Sequence, residues 1–308
     1  SQRMADDLEQ MVVHLDEPIA DPAPLNVLYI SSLARQNGIK VLLSGAGGDD
    51  LFTGYRRHHA LSLEKWWRWL PKKMRTRIDT TFSSLDKRNA LFRRLAKLFN
   101  GADLDGNASI ANYFLWAREN DLLDLYTNDA RDQLKDVNVK EPLIDFLAVA
   151  PEGLSKIDKM LLLEKRFFLG DHNLIYTDKM SMAAGVEARV PFLDIDLVEF
   201  AARIPPSYKH RGGIGKWVMK KAMEPYLPKD LIYRPKTGFG APIRRWMRQD
   251  LREILGDMLS EDSLKRRGIF DPNAVQKMIL ANDSGKLDAS YTLLSLLCFE
   301  IWCRNFID

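Results

Sequence analysis

The chain has 308 residues and a formal net charge of +3 at pH 7, and 46% of its residues are hydrophobic. This length fits one large domain or two modest ones, and the apolar fraction favours a globular protein with a sizeable core. There is no run of about 18 or more apolar residues and no visible signal peptide, which argues against a membrane-spanning helix.

The first predicted elements are two helices and one strand. Residues 1–14 show a helical period of apolar side chains, and residues 25–37 predict a second helix that Gly38 ends. Residues 39–43 form a short apolar run typical of a buried parallel strand. Because a lone parallel strand leaves its edges unpaired, we expect partner strands upstream of Ser1, in another chain, or missing altogether.

Strand signals fade after Leu51, and the rest of the chain is predicted to be largely helical. Helical periods recur near residues 60–70, 84–99, 108–126, 155–170, 195–202, 215–224, 244–258 and 288–305. We expect loops at residues 101–107 and 204–214. The cysteines, Cys298 and Cys303, would lie on different faces of the last helix. They are therefore predicted to be buried free thiols in a reducing compartment, which favours a cytoplasmic protein.

Charge is unevenly distributed along the second quarter of the chain. Residues 61–100 carry eleven Lys or Arg against three acids, and residues 101–140 carry eight acids against four Lys or Arg. The basic stretch also holds three tryptophans, a pattern that suits an anionic partner such as nucleic acid. The alternative, which we favour, is an amphipathic helical hairpin whose tryptophans pack on the body and whose charges are solvated.

Residues 41–55, VLLSGAGGDDLFTGY, carry the most specific chemical signal. Glycines after a strand let the backbone approach a ligand and aim its N–H groups at an anion, and carboxylates beside such a loop suit the Mg²⁺ that accompanies phosphates. A plain tight turn with solvated aspartates is the alternative. Two further strings stand out: DKMSMAAGVEARVPFLD at 178–194, and GIGKWVMKKAMEPYLPKDLIYRPKTGFGAPIRRW at 213–246.

Together these three strings resemble, in the same order, the synthetase half of the glutamine-dependent asparagine synthetase family. The resemblance implies an α/β fold of the adenine-nucleotide α-hydrolase (ATP pyrophosphatase) type, with a largely helical remainder. It further implies that the chain has three parts. Residues 1–60 would be the C-terminal part of the nucleotide-binding core, residues 61–150 a helical excursion, and residues 151–308 the helical part with the phosphate-site lysines. Such enzymes adenylate a carboxylate, release pyrophosphate and let ammonia displace AMP.

The resemblance also assigns roles to individual residues. Ser44 and Gly45, with Gly47 and Gly48, would contact ATP, and Asp49 would bind Mg²⁺. Lys216 would contact the phosphates. Lys236 would contact the phosphates and the acyl-adenylate as a catalytic group. Arg189 would be a catalytic group near the phosphates. For Arg189, an ion pair with Glu187 is an equally open alternative. Asp50 is expected to support the start of a helix.

Two departures from the family pattern shape the functional hypothesis. No SGGxDS phosphate loop and no N-terminal cysteine nucleophile occur in these residues, so the core is expected to be truncated at its N-terminal side and inactive alone. An upstream glutaminase domain would supply ammonia, and a homodimer is an open arrangement. Ala46 replaces an acidic residue, which leaves the carboxylate substrate open as aspartate or an analogue. The rival hypothesis is a non-catalytic scaffold whose basic 61–100 region binds an anionic partner.

Overall fold

Helices dominate the architecture. A computed structural model describes residues 2–85, 89–235 and 242–308. The strands are β1 Val41–Leu43, β2 Glu187–Arg189, β3 His210–Arg211 and β4 Ile214–Gly215. The helices are α1 Gln2–Leu15, α2 Ala23–Gln36, α3 Gly48–Phe52, α4 Arg56–Leu63, α5 Lys72–Ser83, α6 Ala90–Leu98, α7 Gly106–Ala111, α8 Glu119–Leu123, α9 Asn128–Leu134, α10 Glu141–Ala148, α11 Lys156–Leu163, α12 Ile175–Ala183, α13 Ile195–Arg203, α14 Pro206–Lys209, α15 Trp217–Met223, α16 Lys229–Ile232, α17 Ile243–Arg245, α18 Arg252–Met258, α19 Glu261–Arg267, α20 Pro272–Asp283 and α21 Ser290–Phe306. A π-helical segment, Glu164–Leu174, joins α11 to α12.

The strand predicted from the apolar run exists, but its partner and its surroundings were predicted wrongly. Strand β1 pairs in parallel with β2, with Leu43 opposite Arg189, so a partner strand lies within the chain itself. Strand β1 is also not buried, because the Leu43 side chain is 74% exposed. The miss has a simple cause: β2 is three residues long and mostly charged, so it shows no strand periodicity.

Residues 204–214 were predicted to form a loop, and this was also wrong. The segment contains the short helix α14 and most of an antiparallel hairpin in which His210 pairs with Gly215. Two-residue strands are too short to show the alternation by which strands are recognised in sequence. The hairpin sets the position of Lys216, the residue that follows it.

Three groups of buried apolar side chains hold the helices together. The largest joins α1, α2, α12, α18 and α21, with members such as Leu8, Met11, Met180, Leu255 and Leu297. A second group joins α4, α7, α10 and α11. A third is built on Leu51, Phe52 and Ala201, and it packs α3 against α13 and α15. This last group lies directly beneath the glycine-rich segment.

Several predicted features are confirmed. Helix α2 ends just before Gly38, which adopts a φ of 76°, and α21 covers the predicted last helix. Cys298 and Cys303 are buried free thiols. Among the described residues, no helix is long and apolar enough to cross a membrane.

Some charged side chains of residues 61–100 pair with those of residues 101–140. Asp105 accepts hydrogen bonds from Arg68 and Arg75, and Arg118 pairs with Asp79. The ring of Trp67 is buried, with its centroid 5.6 Å from that of Phe99. These contacts agree with the favoured helical packing, although the other two tryptophans of the stretch, at 66 and 69, are exposed.

Candidate functional site

The glycine-rich loop is fixed at its start by the parallel strand pair. The backbone N–H of Ser44 donates to the carbonyl of Arg189 at 2.7 Å, which extends the pairing by one bond. The Ser44 hydroxyl oxygen in turn accepts from the N–H of Ala46 at 3.2 Å, so the loop folds back on itself. The strand pairing therefore brings the first and second sequence motifs together.

Gly47 must be glycine for two physical reasons. Its φ is +85°, a conformation that residues with a side chain rarely adopt, and a Cβ atom there would lie 2.6 Å from Cδ2 of Leu193. Leu193 belongs to the VPFLD part of the second motif. The close contact explains why a glycine-rich loop and this apolar string occur together in one site.

Asp49 and Lys216 form the charged centre of the site. The Lys216 ammonium lies 2.6 Å from Oδ1 of Asp49, and both side chains are about three-quarters buried. Lys216 holds an uncommon φ of +56°, and its backbone N–H donates to the carbonyl of Phe52 at 2.8 Å. Asp49 lies in the first turn of α3 and Lys216 precedes α15, and the third apolar group packs these two helices together.

Two further glycines make this approach sterically feasible. A Cβ atom on Gly54 would lie 1.5 Å from Oδ1 of Asp49 and 2.6 Å from the Lys216 side chain. A Cβ atom on Gly215 would lie 2.2 Å from the carbonyl oxygen of Thr53. Any side chain at either position would push the third motif away from the first.

A buried polar cluster lies beneath α3. Glu164, at the start of the π-helical segment, is fully buried and pairs with the Arg57 guanidinium through two hydrogen bonds. Its carboxylate also lies 3.0 Å from Nε2 of His58, whose Nδ1 accepts from the backbone N–H of Tyr55. Burial pushes the pKa of Glu164 upward, but the hydrogen bonds from Arg57 and His58 outweigh it and hold the pKa below its usual range.

Asp50 lies in the first turn of α3, as expected, and it also belongs to this buried cluster. It is 1% exposed, and the Tyr55 hydroxyl donates to it at 3.1 Å. Burial, together with the negative charge of Glu164, raises the pKa of Asp50 to about 6. Neither burial nor the contact with Tyr55 was predicted. The sequence offers one sign of the buried cluster: Glu164 is an acid within an apolar string, LLLEKRFFL, where a charged side chain is unusual.

The remaining predicted site residues stand as follows. Arg189 extends its guanidinium to Glu187, with Nε 2.9 Å from Oε1, and both side chains are largely exposed. The ion pair held open as an alternative is therefore present, and a role of Arg189 at phosphates stays a prediction. Lys236 lies outside the described residues, so its predicted role also stays a prediction.

The donor set bears on whether these residues suit ATP with Mg²⁺. Among the described residues, no group of three or more His, Cys, Asp or Glu side chains is placed to hold a metal ion. Mg²⁺ beside a nucleotide needs only one or two carboxylates, because phosphate oxygens and water complete its shell. A single carboxylate, Asp49, beside an ammonium and a glycine loop fits that arrangement and does not fit a metal cage built from protein alone.

Comparison with known proteins agrees with the three motifs. Residues 1–304 match the family model described as Asparagine synthase. A putative asparagine synthetase [glutamine-hydrolyzing] of Mycobacterium tuberculosis strain H37Rv is 30% identical over 305 residues, which cover 98% of this chain and 44% of the relative. Asparagine synthetase [glutamine-hydrolyzing] 1 of Bacillus subtilis strain 168 is 28% identical over 302 residues, 96% of this chain and 45% of the relative.

A more distant relative carries a different name. The Penicillium rubens protein named Amidase chyE is 22% identical over 297 residues, 90% of this chain and 43% of the relative. The chain thus spans less than half the length of these relatives. With a family match over nearly its whole length, and the strand pairing and glycine contacts joining the three motifs, the chain belongs to the asparagine synthase family.

Proposed function

We propose that these residues form the synthetase part of an ATP-dependent amide ligase that adenylates a carboxylate substrate and then forms an amide. The observation that carries the proposal is the Asp49–Lys216 pair at the end of the glycine loop, with nitrogen and oxygen 2.6 Å apart. Family membership supports the reaction class. Ammonia from a glutaminase domain is part of the proposal, because the two more similar relatives are named as glutamine-hydrolysing.

Each side chain of the site would have a distinct task. The backbone N–H of Gly47 would face the phosphates, whereas that of Gly48 already donates to the carbonyl of Gly45 at 3.3 Å. Lys216 would stabilise negative charge as it builds on the phosphate oxygens, which requires that it exchange Asp49 for phosphate. Asp49 would then be free to bind Mg²⁺, which when bound neutralises phosphate charge. The ion pair holds the two side chains at one place.

The carboxylate substrate is proposed as aspartate or an analogue. Ala46 lies in the loop where an acidic residue stands in the family pattern, and its side chain has no acid–base capacity. Its N–H is already engaged by the Ser44 hydroxyl. A methyl group at this position cannot accept the proton that the amine loses when the amide forms.

The test compares adenylation by variants of the complete gene product that contains these residues. Asp49→Asn and Lys216→Met are each expected to lower carboxylate-dependent pyrophosphate release by about 100- to 1000-fold, as is typical when one key electrostatic group is lost. Ammonium chloride serves as the amine source, so that glutaminase activity does not limit the assay. Lys221→Met is the matched control, because Lys221 lies five residues on and pairs with Glu224 at the surface.

The outcome that would contradict the proposal is equally specific. If Asp49→Asn and Lys216→Met release pyrophosphate as fast as Lys221→Met, the pair has no part in adenylation. If the unaltered protein releases none with aspartate or with other carboxylates while it binds ATP, the ligase activity itself is excluded.

A further inference from the structure

The Tyr55 hydroxyl bridges α3 and the π-helical segment. It donates to the Asp50 carboxylate, whose oxygens lie 3.1 and 3.3 Å away, and it accepts from Nδ2 of Asn173 at 3.1 Å. Asp50 lies in the first turn of α3, directly after Asp49, and Asn173 lies near the end of the π-helical segment. One hydroxyl therefore joins the neighbour of the proposed Mg²⁺ ligand to a segment that lies 118 residues further along the chain.

The ring of Tyr55 is held independently of its hydroxyl. The guanidinium carbon of Arg57 lies 4.5 Å from the ring centroid, and the ring of Phe168 packs nearly at right angles to it, with centroids 5.3 Å apart. Arg57 is itself paired with the buried Glu164 at the start of the π-helical segment. Removal of the hydroxyl alone would leave these contacts in place and would break only the bridge.

Helix α3 needs support of this kind because it is little more than one turn. It has five residues, and residues with positive φ, Gly47 and Thr53, flank it. So short a helix is not stable through its own hydrogen bonds, and its orientation depends on what it packs against. The third apolar group holds one side of it. The Tyr55 bridge holds the turn that carries Asp49.

We propose that Tyr55 is a positioning residue for adenylation: its hydroxyl orients α3 so that Asp49 and Lys216 face one Mg²⁺–nucleotide. This inference rests on the proposed function. In this role the tyrosine acts through Asp50 rather than by contact with the reactants. Groups that orient a metal ligand in this way typically change metal affinity or activity by about 10- to 100-fold. Its place beside a π-helical segment agrees with such a role, because these segments are frequent at functional sites.

The experiment compares Tyr55→Phe with Tyr113→Phe in the complete gene product. Tyr113 is the matched control, because its hydroxyl also donates to a buried carboxylate, that of Glu64 at 3.0 Å, and both residues lie outside the three motifs. The two changes should lower the thermal unfolding midpoint by similar amounts, since each removes one buried hydroxyl bond. Only Tyr55→Phe should also lower the kcat of carboxylate-dependent pyrophosphate release, by about 10- to 100-fold, and raise the Mg²⁺ concentration that gives half the maximal rate.

Amide hydrogen exchange tests the same role without ligase activity. The N–H of Leu51 donates to the carbonyl of Gly47, and the N–H of Gly54 donates to that of Asp49, both at 2.9 Å. Tyr55→Phe should speed exchange of these two amides several-fold, because a loosened α3 opens more often. Tyr113→Phe should leave them unchanged.

The outcomes separate this inference from the proposed function. Equal kcat and Mg²⁺ dependence in Tyr55→Phe and Tyr113→Phe, or unchanged exchange in α3, would overturn the positioning role even where Asp49→Asn lowers pyrophosphate release as proposed. If the unaltered protein releases no pyrophosphate, the proposed function fails, and the exchange result alone decides whether the hydroxyl holds α3. Asn173→Ala breaks the bridge from its other side and, as a second variant, should change the same readouts in the same direction.

Discussion

At the scale of single residues, the site depends on two glycines, which carry no Cβ atom. Gly54 and Gly215 allow the first and third motifs to touch, because a Cβ atom on either would overlap Asp49 or the Thr53 carbonyl. The sequence predicts that Asp49 and Lys216 serve one site, because both lie in strings that define the family. It cannot predict that Lys216 neutralises Asp49 directly, since that depends on a short hairpin with no detectable pattern.

Gly54→Ala is therefore expected to destabilise the protein by about 1–3 kcal/mol, the usual cost of inserting a methyl group into a packed site. Urea unfolding measures the change. Gly256→Ala is the control: Gly256 lies in α18 with no atom near its would-be Cβ, so alanine there should add about 0.5–1 kcal/mol of stability. A Gly54→Ala protein as stable as the original would show that Asp49 and Lys216 separate without cost.

At the scale of elements, a buried carboxylate pins the last helix. Glu300 of α21 accepts from Ser263 at 2.9 Å, from Arg267 at 3.0 Å and from Arg304 at 2.9 Å. Arg267 also reaches the side chain of Asp308 at the C-terminus. Periodicity predicts α21 itself, as it predicts α1 and α2, because each is long and apolar side chains recur along it. Ion networks between helices leave no such trace, because their members lie far apart in sequence.

The pH dependence of stability should report on Glu300. Burial raises its pKa, but the bonds from Arg267, Arg304 and Ser263 outweigh burial and hold the pKa below the ordinary value of 4.5. Its contribution is therefore present above about pH 4.5 and is lost as the pH falls through the lower folded-state pKa. Glu300→Gln should cost about 1–3 kcal/mol at neutral pH and reduce the acid-induced loss of stability.

Denaturant unfolding between pH 3 and pH 7 measures both effects. Glu261→Gln is the matched control, since Glu261 makes an exposed pair with Lys265 one helical turn away and should change stability little. Equal pH profiles of stability for the original protein and Glu300→Gln would show that Glu300 does not hold α21 in place.

At the scale of the whole molecule, several large apolar side chains are exposed among the described residues, on strand β1 and on helices α2, α12 and α13. Leu43 of β1, Leu33 of α2, Met182 of α12, and Ile195 and Phe200 of α13 are each more than half exposed. Parallel strands are ordinarily covered on both faces, and exposed apolar patches of this kind mark interaction surfaces. The apolar run alone correctly indicated a parallel strand. The run does not show whether the strand is covered, because that depends on which other parts of the chain pack against it.

We expect these 308 residues, produced alone, to self-associate in a concentration-dependent manner. Sedimentation velocity over a range of concentrations measures this. Leu43→Lys should weaken the association, because it replaces an exposed apolar side chain on the edge of a strand pair by a charge. Leu280→Lys is the control, as Leu280 is similarly exposed on α20. Monodisperse monomer at all concentrations, or equal effects of both changes, would exclude this surface as the cause.

The pairing of β1 with β2 also determines how late the site can fold during synthesis of the chain. The Thr53 hydroxyl and the Lys209 carbonyl that it contacts are separated by 156 residues. Such non-local contacts form slowly, because long loops must close before any contact offsets their entropy. On the ribosome, the glycine loop leaves the exit tunnel well before Arg189 and Lys216 exist. The nascent chain therefore holds β1 without its partner β2 for seconds, at synthesis rates of about 5–20 residues per second.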